Sequence, residues 1–291
     1  MTIKKKIIAL LDRRGLRPLL GKLATSYART QSGADVEVYY DGLWMHRVGK
    51  QFFPHGPRFT YNRDTLAALK DQPDRYRNDA HDFWFQHSMP QKGGVIVDVG
   101  AGRGEDAMAF SQAVGETGRV IAIEAHPLSF QILKRYCELN GLSNVTCLHL
   151  AAMDQPGTVT IEDAEIWEET AVGKGAATNG TVVRATTLDE ICEKEGVKDI
   201  SLLKINIEGA ERYALPGMER TLPFVRTICV SCHDFRSERG DGENFRTRAF
   251  TEKFLNDRGF QLASRPDDSR DYVRDHVFGL RDTAVRKSMT G

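Results

Sequence analysis

The chain has 291 residues, 41% of them hydrophobic and 27% charged, as in a soluble globular protein with one large domain or a domain with an appendage. Forty Lys and Arg balance forty Asp and Glu, so no global field draws the protein to nucleic acid. No run approaches the roughly 18 apolar residues of a membrane span. The broken apolar run from Ile7 to Leu11 is also too short for a secretory signal, so the expected location is the cytoplasm.

Residues 1–35 hold eight Lys and Arg against Asp12 and Asp35, a net +6 inside a neutral protein. Ile7, Leu10 and Leu11, then Leu16, Leu19 and Leu20, fall near helical spacing around Gly15 and Pro18. Two basic amphipathic helices are expected. They read either as a contact with the inner face of an anionic membrane or a lipid-linked substrate, or as a helix pair docked on the domain or on a dimer mate. The docked reading is the preferred one. Next, Asp41-Gly42 between two alternating segments predicts a hairpin over Val36–Val48. Residues 50–62, with Pro54, Gly56 and Pro57, read as loop, and helical pieces are expected at 63–71 and 79–88. Residues 1–92 thus form an N-terminal cap with no catalytic signature of its own.

From residue 93 the rhythm changes to strand and helix in alternation. Strands are expected at 95–99, 120–124 and 145–150, with helices from Ala107 and from Pro127 to Asn140. An insertion at 154–186 interrupts the pattern. Val159 and Ile161 pair there with Val182 and Val183, and Trp167 sits among acids expected near a bound acceptor. A helix opened by Thr187 and Glu190 follows, then strands at 202–207 and 226–232, a helix near 246–258, and strands near 260–264 and 273–280. Alternation at this spacing means a right-handed parallel α/β sheet over 93–291.

The five cysteines read as reduced thiols. Cys229-Val230-Ser231-Cys232-His233 matches a redox and a haem-attachment pattern, yet Thr227-Ile228-Cys229-Val230 reads as a buried strand.

The sharpest chemical signal is Asp98-Val99-Gly100-Ala101-Gly102-Arg103-Gly104, directly after a strand and before a helix. Glycines there permit a tight turn and a close ligand. A dinucleotide fingerprint counted from Gly100 requires glycine at 105, where this chain has Glu105, an acid expected to face the diphosphate. S-adenosylmethionine carries no phosphate and tolerates it. Asp98 holds the turn or meets the ammonium of that cofactor. Glu124 ends the second strand, where a carboxylate accepts hydrogen bonds from ribose hydroxyls. In Leu203-Lys204-Ile205-Asn206-Ile207-Glu208, the polar residues alternate on one face of a central strand. Asn206 and Glu208 lie at its ligand-binding end.

Val97–Ala101, Glu124-Ala125-His126-Pro127, Thr187-Leu188-Asp189, Leu203–Glu211 and Leu215-Pro216-Gly217-Met218 together resemble the FkbM-type methyltransferases. The resemblance implies a Rossmann-like class I methyltransferase fold, with a seven-stranded, mostly parallel sheet flanked by helices. It implies S-adenosylmethionine-dependent O-methylation of a hydroxyl on a sugar, glycolipid or similar metabolite. Cofactor contacts are expected from Asp98, Gly100, Ala101, Gly102, Gly104, Glu124, Ala125 and Ala151. Asn206 stands where the family usually has Asp, which removes an acid role from that position.

His233 follows the fifth strand near the same edge and is the expected base, with Glu208 the other candidate and Asn206 beside them. Asn206, Glu208, His233 and Asp234 also offer a divalent-metal set, but a metal-free route is preferred. Two other readings stay open: a methyltransferase-like domain that binds without catalysing, and an NAD-dependent oxidoreductase.

Overall fold

The computed structural model describes residues 3–13, 15–161, 172–173 and 180–281. Helices α1 (Ile3–Leu11) and α2 (Arg17–Ser32) come first, as the apolar spacing predicts. Pro18 sits in the first turn of α2, and Gly33 ends it in the left-handed conformation. α2 lays Leu20, Gly21, Ala24 and Ala28 against an antiparallel sheet of β1 (Val36–Asp41), β2 (Leu43–Val48) and β3 (Gln51–Gly56). The expected hairpin is there, with Asp41 opposite Leu43.

β3 corrects the loop expected at 50–62. Pro54 is tolerated because β3 is an edge strand paired only with β2. The side-chain amide of Asn140 meets the outer edge, accepting from Phe52 N at 3.0 Å and donating to Phe52 O at 2.8 Å. α3 (Arg63–Ala68) carries a reciprocal Asn62–Thr65 cap. α4 (Gln72–Trp84) starts earlier than predicted because Pro73 fits a first helical turn.

The large sheet then forms from β4 (Val95–Val99), α5 (Ala107–Val114), β5 (Arg119–Glu124), α6 (Pro127–Leu139) and β6 (Val145–His149). A four-stranded sheet interrupts it, made of β7 (Ala151–Ala152), β8 (Gly157–Ile161), β9 (Val172–Gly173) and β10 (Thr181–Thr186). Val159 lies opposite Val183, the strand pairing predicted for the insertion; Trp167 and its acidic neighbours lie outside the described residues. α7 (Leu188–Lys194) begins at Thr187, whose hydroxyl accepts from Glu190 N at 3.1 Å. The capping box is only half made, because the Glu190 carboxylate takes the Thr186 hydroxyl instead.

The chain returns through β11 (Leu202–Ile205), α8 (Glu211–Ala214), β12 (Thr227–Ser231), α9 (Asp234–Glu238), α10 (Arg248–Asn256), β13 (Gln261–Ala263), α11 (Asp271–Arg274) and β14 (His276–Leu280). Seven strands run in the order β13-β14-β12-β11-β4-β5-β6, with β14 antiparallel to both its neighbours. β4 alternates, sending Val97 and Val99 into one apolar cluster and Ile96 into another on the opposite face. The strand order reverses between β4 and β11, the switch point at which open α/β sheets leave a crevice beyond their carboxyl ends.

Cys229 lies within β12 and Cys232 just beyond it. All five cysteines are free, and burial pushes these two thiols up. They are strand and core residues.

Candidate functional site

The crevice is built on Gly100. Its φ is +77°, and a Cβ there would stand 1.9 Å from Asn206 O, so only glycine lets β4 and β11 meet this closely. Gly100 N and Ala101 N both donate to Ile123 O, and Asn206 N donates to Val99 O at 2.9 Å. The ends of β4, β5 and β11 are thereby tied together. Glu124 fixes the turn from the side, accepting from Gly102 N at 2.8 Å and His126 N at 2.7 Å. Burial pushes its carboxyl up to about 7, against the pull of these two amides.

Beneath the turn, Lys204 Nζ donates to Gly100 O and pairs with Asp98, each at 2.7 Å, in a fully buried setting. Burial would lower the lysine pKa, but Asp98 and Asp106 more than reverse this, and it stays charged.

A cleft at this edge is lined by Gly100, Gly102, Glu124, Ala125, Ala151, Asn206 and Glu208 among the predicted residues, together with His126, Met153 and Ile161. Asp98, Ala101 and Gly104 do not reach its wall. Asp98 is spent on Lys204, Ala101 packs in the core with Phe53 and Tyr136, and Gly104 abuts Leu133 and Tyr136. These three support the turn. Glu105 also departs from expectation: it accepts from Arg103 N at 2.9 Å and lines a separate cavity beneath β3 and α4, not the cleft. It occupies an amide that a diphosphate would need.

The polar alternation expected over Lys204, Asn206 and Glu208 breaks at Glu208. β11 ends at Ile205, and Glu208 adopts a left-handed φ of 52°, a conformation uncommon outside glycine and frequent at functional sites. Glu208 thus also reaches a second cavity, lined by Phe83, Trp84, His233, Phe235, Arg236, Tyr272 and His276. Asn206 and Glu208 line both spaces and form the wall between them.

His233 stands at that wall, as expected from adjacent β11 and β12, but in a different electrical state. Its Nε2 is 3.2 Å from Glu208 Oε1 and its Nδ1 is 3.1 Å from Glu211 Oε1, which is fully buried. Burial alone would lower the imidazole pKa. Glu211 first, then Glu208, outweigh it and push it up to about 10. Set between two carboxylates, His233 is favoured in its protonated form and fixes Glu208 in place. Burial would raise the Glu208 carboxyl, yet His233 and then Arg236, 2.8 Å away, hold it below its usual range. Arg236 and Glu211 were not assigned roles from sequence. No motif marks Arg236, whereas Glu211 closes the Leu203–Glu211 block, and its burial is set by the fold.

The folded pKa of His233 lies above the unfolded value of about 6.5, so its contribution is complete below that pH and lost as pH rises through about 10. Urea unfolding of wild type and His233→Gln should show the largest gap near pH 6 and convergence at strongly alkaline pH.

The metal set read from sequence does not assemble. Both ring nitrogens of His233 face carboxylates, and Asp234 instead accepts from Thr247 N and Arg248 N at 2.9 Å. Among the described residues no group of three or more His, Cys, Asp or Glu is placed to hold an ion.

A seven-stranded, mostly parallel sheet flanked by helices is the Rossmann-like fold of the class I methyltransferases. A family model for the methyltransferase FkbM domain matches residues 98–262, more than half of the chain, and the chain belongs to that family. Solved structures similar to it include a methyltransferase FkbM from Methylobacillus flagellatus, at 18% identity and TM-score 0.46, over 75% of this chain and 54% of that one. This chain thus spans about half that protein's length. Fibrillarin from Aeropyrum pernix, with S-adenosyl-L-methionine bound, matches at 15% identity and TM-score 0.41, over 70% of this chain and 74% of that one. A putative caffeoyl-CoA O-methyltransferase from Staphylococcus aureus matches at 15% and 0.41, over 76% and 85%. A comparison with curated protein sequences returns no match.

Proposed function

We propose that this chain is an S-adenosylmethionine-dependent O-methyltransferase acting on a hydroxyl of a sugar, glycolipid or other hydroxylated metabolite. The observation that carries the reading is the shared wall: Asn206 and Glu208 line the cleft at the glycine turn on one side and the second cavity on the other. Family membership supports the reaction class, and the cleft borders the glycine turn and Glu124, where the cofactor contacts are expected. The Asn206 Oδ1 atom is buried without a hydrogen-bond partner, a vacancy suited to the ammonium of the methionine part. Glu124 would accept from the ribose hydroxyls.

When bound, S-adenosylmethionine supplies an electrophilic methyl group. The protein's task is then to align the acceptor oxygen and exclude water. The Glu208 carboxylate would accept the hydrogen bond of the acceptor hydroxyl and take up its proton. His233 and Arg236 fix the direction of that carboxylate. Phe83, Trp84, Phe235 and Tyr272 give the second cavity flat apolar surfaces for the body of an acceptor.

Replacing Glu124 with Ala removes charge-assisted bonds of about 1.5–3 kcal/mol, roughly a ten- to hundredfold loss in affinity for S-adenosylhomocysteine by calorimetry. Unchanged affinity would contradict the ribose assignment. Stabilisation by NAD but not by S-adenosylmethionine in a thermal shift would favour the oxidoreductase. Cofactor binding without methyl transfer to any hydroxylated acceptor would favour a binding-only domain.

A further inference from the structure

The N-terminal helices present a surface that the site does not use. α2 docks through Leu20, Gly21, Ala24 and Ala28, yet Leu16, Leu19 and Leu23 recur at i, i+3 and i+7 on a different stripe and are exposed. Leu19 and Leu23 are 49% and 54% accessible, and Ile7 and Leu10 of α1 are as open. Lys22 lies one turn from Leu19 on the flank of that stripe. A groove between α2 and β1 adjoins it, lined by Arg13, Arg17, Lys22 and Arg29 together with Asp12 and Glu37, the latter paired with Arg47. The two acids of the segment are engaged within the fold: Asp12 by Arg17, Trp44 Nε1 and Phe59 N, and Asp35 by Arg47 and Arg29. Leucines beside cations on one helix face are the arrangement of an interfacial helix.

We propose that the outer face of α1 and α2 seats on an anionic lipid bilayer, the leucines entering the acyl boundary and the cations meeting lipid phosphates. Charge selects this occupant over a second copy of the chain, because a two-fold contact here would set +6 against +6. Among the described residues no helix is long and apolar enough to cross a membrane. The contact is peripheral.

The test is co-sedimentation of the full chain with vesicles of phosphatidylcholine alone and of phosphatidylcholine mixed with phosphatidylglycerol. Binding is expected only to the mixed vesicles and should weaken as salt is raised. Lys22→Gln should lower the partition about fivefold. Leu19→Ser with Leu23→Ser should lower it at least about tenfold, with the melting temperature unchanged because both side chains are exposed. Failure of the wild type to bind the mixed vesicles, or equal binding by the leucine variant, would overturn the proposal. So would a lipid-free dimer in sedimentation velocity that the leucine variant dissolves, which would assign the stripe to a contact between copies.

Discussion

Glu208→Gln is expected to lower turnover by about 10²–10⁴ while changing the affinity for S-adenosylhomocysteine much less. Glutamine keeps the size and one acceptor oxygen but cannot take up the acceptor's proton, and it no longer attracts His233 or Arg236 as a charge. The loss should therefore appear in single-turnover methyl transfer more than in cofactor binding. The pH profile separates this assignment from a His233 base. With Glu208 as the proton acceptor and His233 as its clamp, activity is level from neutral pH until His233 begins to deprotonate near 10, then falls as Glu208 loses a partner. A neutral His233 acting as base gives the opposite slope, with activity rising over that range. His233→Gln should retain more activity than Glu208→Gln, because an amide in place of the imidazole still donates to a carboxylate. A rising alkaline limb, or a more damaging His233→Gln, would return the base to His233.

The parts of this site readable in the sequence are those made by neighbours along the chain. A glycine turn between an apolar strand and a helix, and an acid ending the next strand, are local patterns whose geometry follows from backbone rules. The positions of Gly100, Gly102 and Glu124 follow from them. What escaped was set by contacts between distant segments. Phe83 and Trp84 end a helix of the cap, yet they wall the second cavity beside His276, and Trp84 stacks on His276 with centroids 5.1 Å apart. No local pattern announces that packing. The protonation of His233 escaped for the same reason, since it depends on Glu211 being buried against it. β3 was hidden by Pro54, whose exclusion from strands is lifted at an edge. Asp98, an obvious ligand candidate in the turn, faces inward because strand alternation sends it to Lys204, leaving backbone to meet the cleft.

Lys204→Met is expected to destabilise the fold by about 3–5 kcal/mol, because it leaves Asp98 as an unpaired carboxyl in a dry interior. Asp98 answers by taking a proton: its pKa is already raised by burial, with Lys204 opposing the rise. Without Lys204 it rises further. The deficit of the variant should therefore shrink as pH falls, since protonated Asp98 no longer needs the lysine. Adding Asp98→Asn to Lys204→Met should recover part of the loss, giving a coupling that marks a direct pair; strictly additive penalties in urea unfolding would sink it. Cofactor affinity should recover less than stability does. Lys204 also donates to Gly100 O at 2.7 Å, and no side chain at position 98 replaces that bond, so the turn at the cleft stays under-held in the double variant. The lysine of the central strand thus ties the core of the sheet to the turn that borders the cleft. Recovery of stability without recovery of binding is the signature that distinguishes that dual role from a purely structural ion pair.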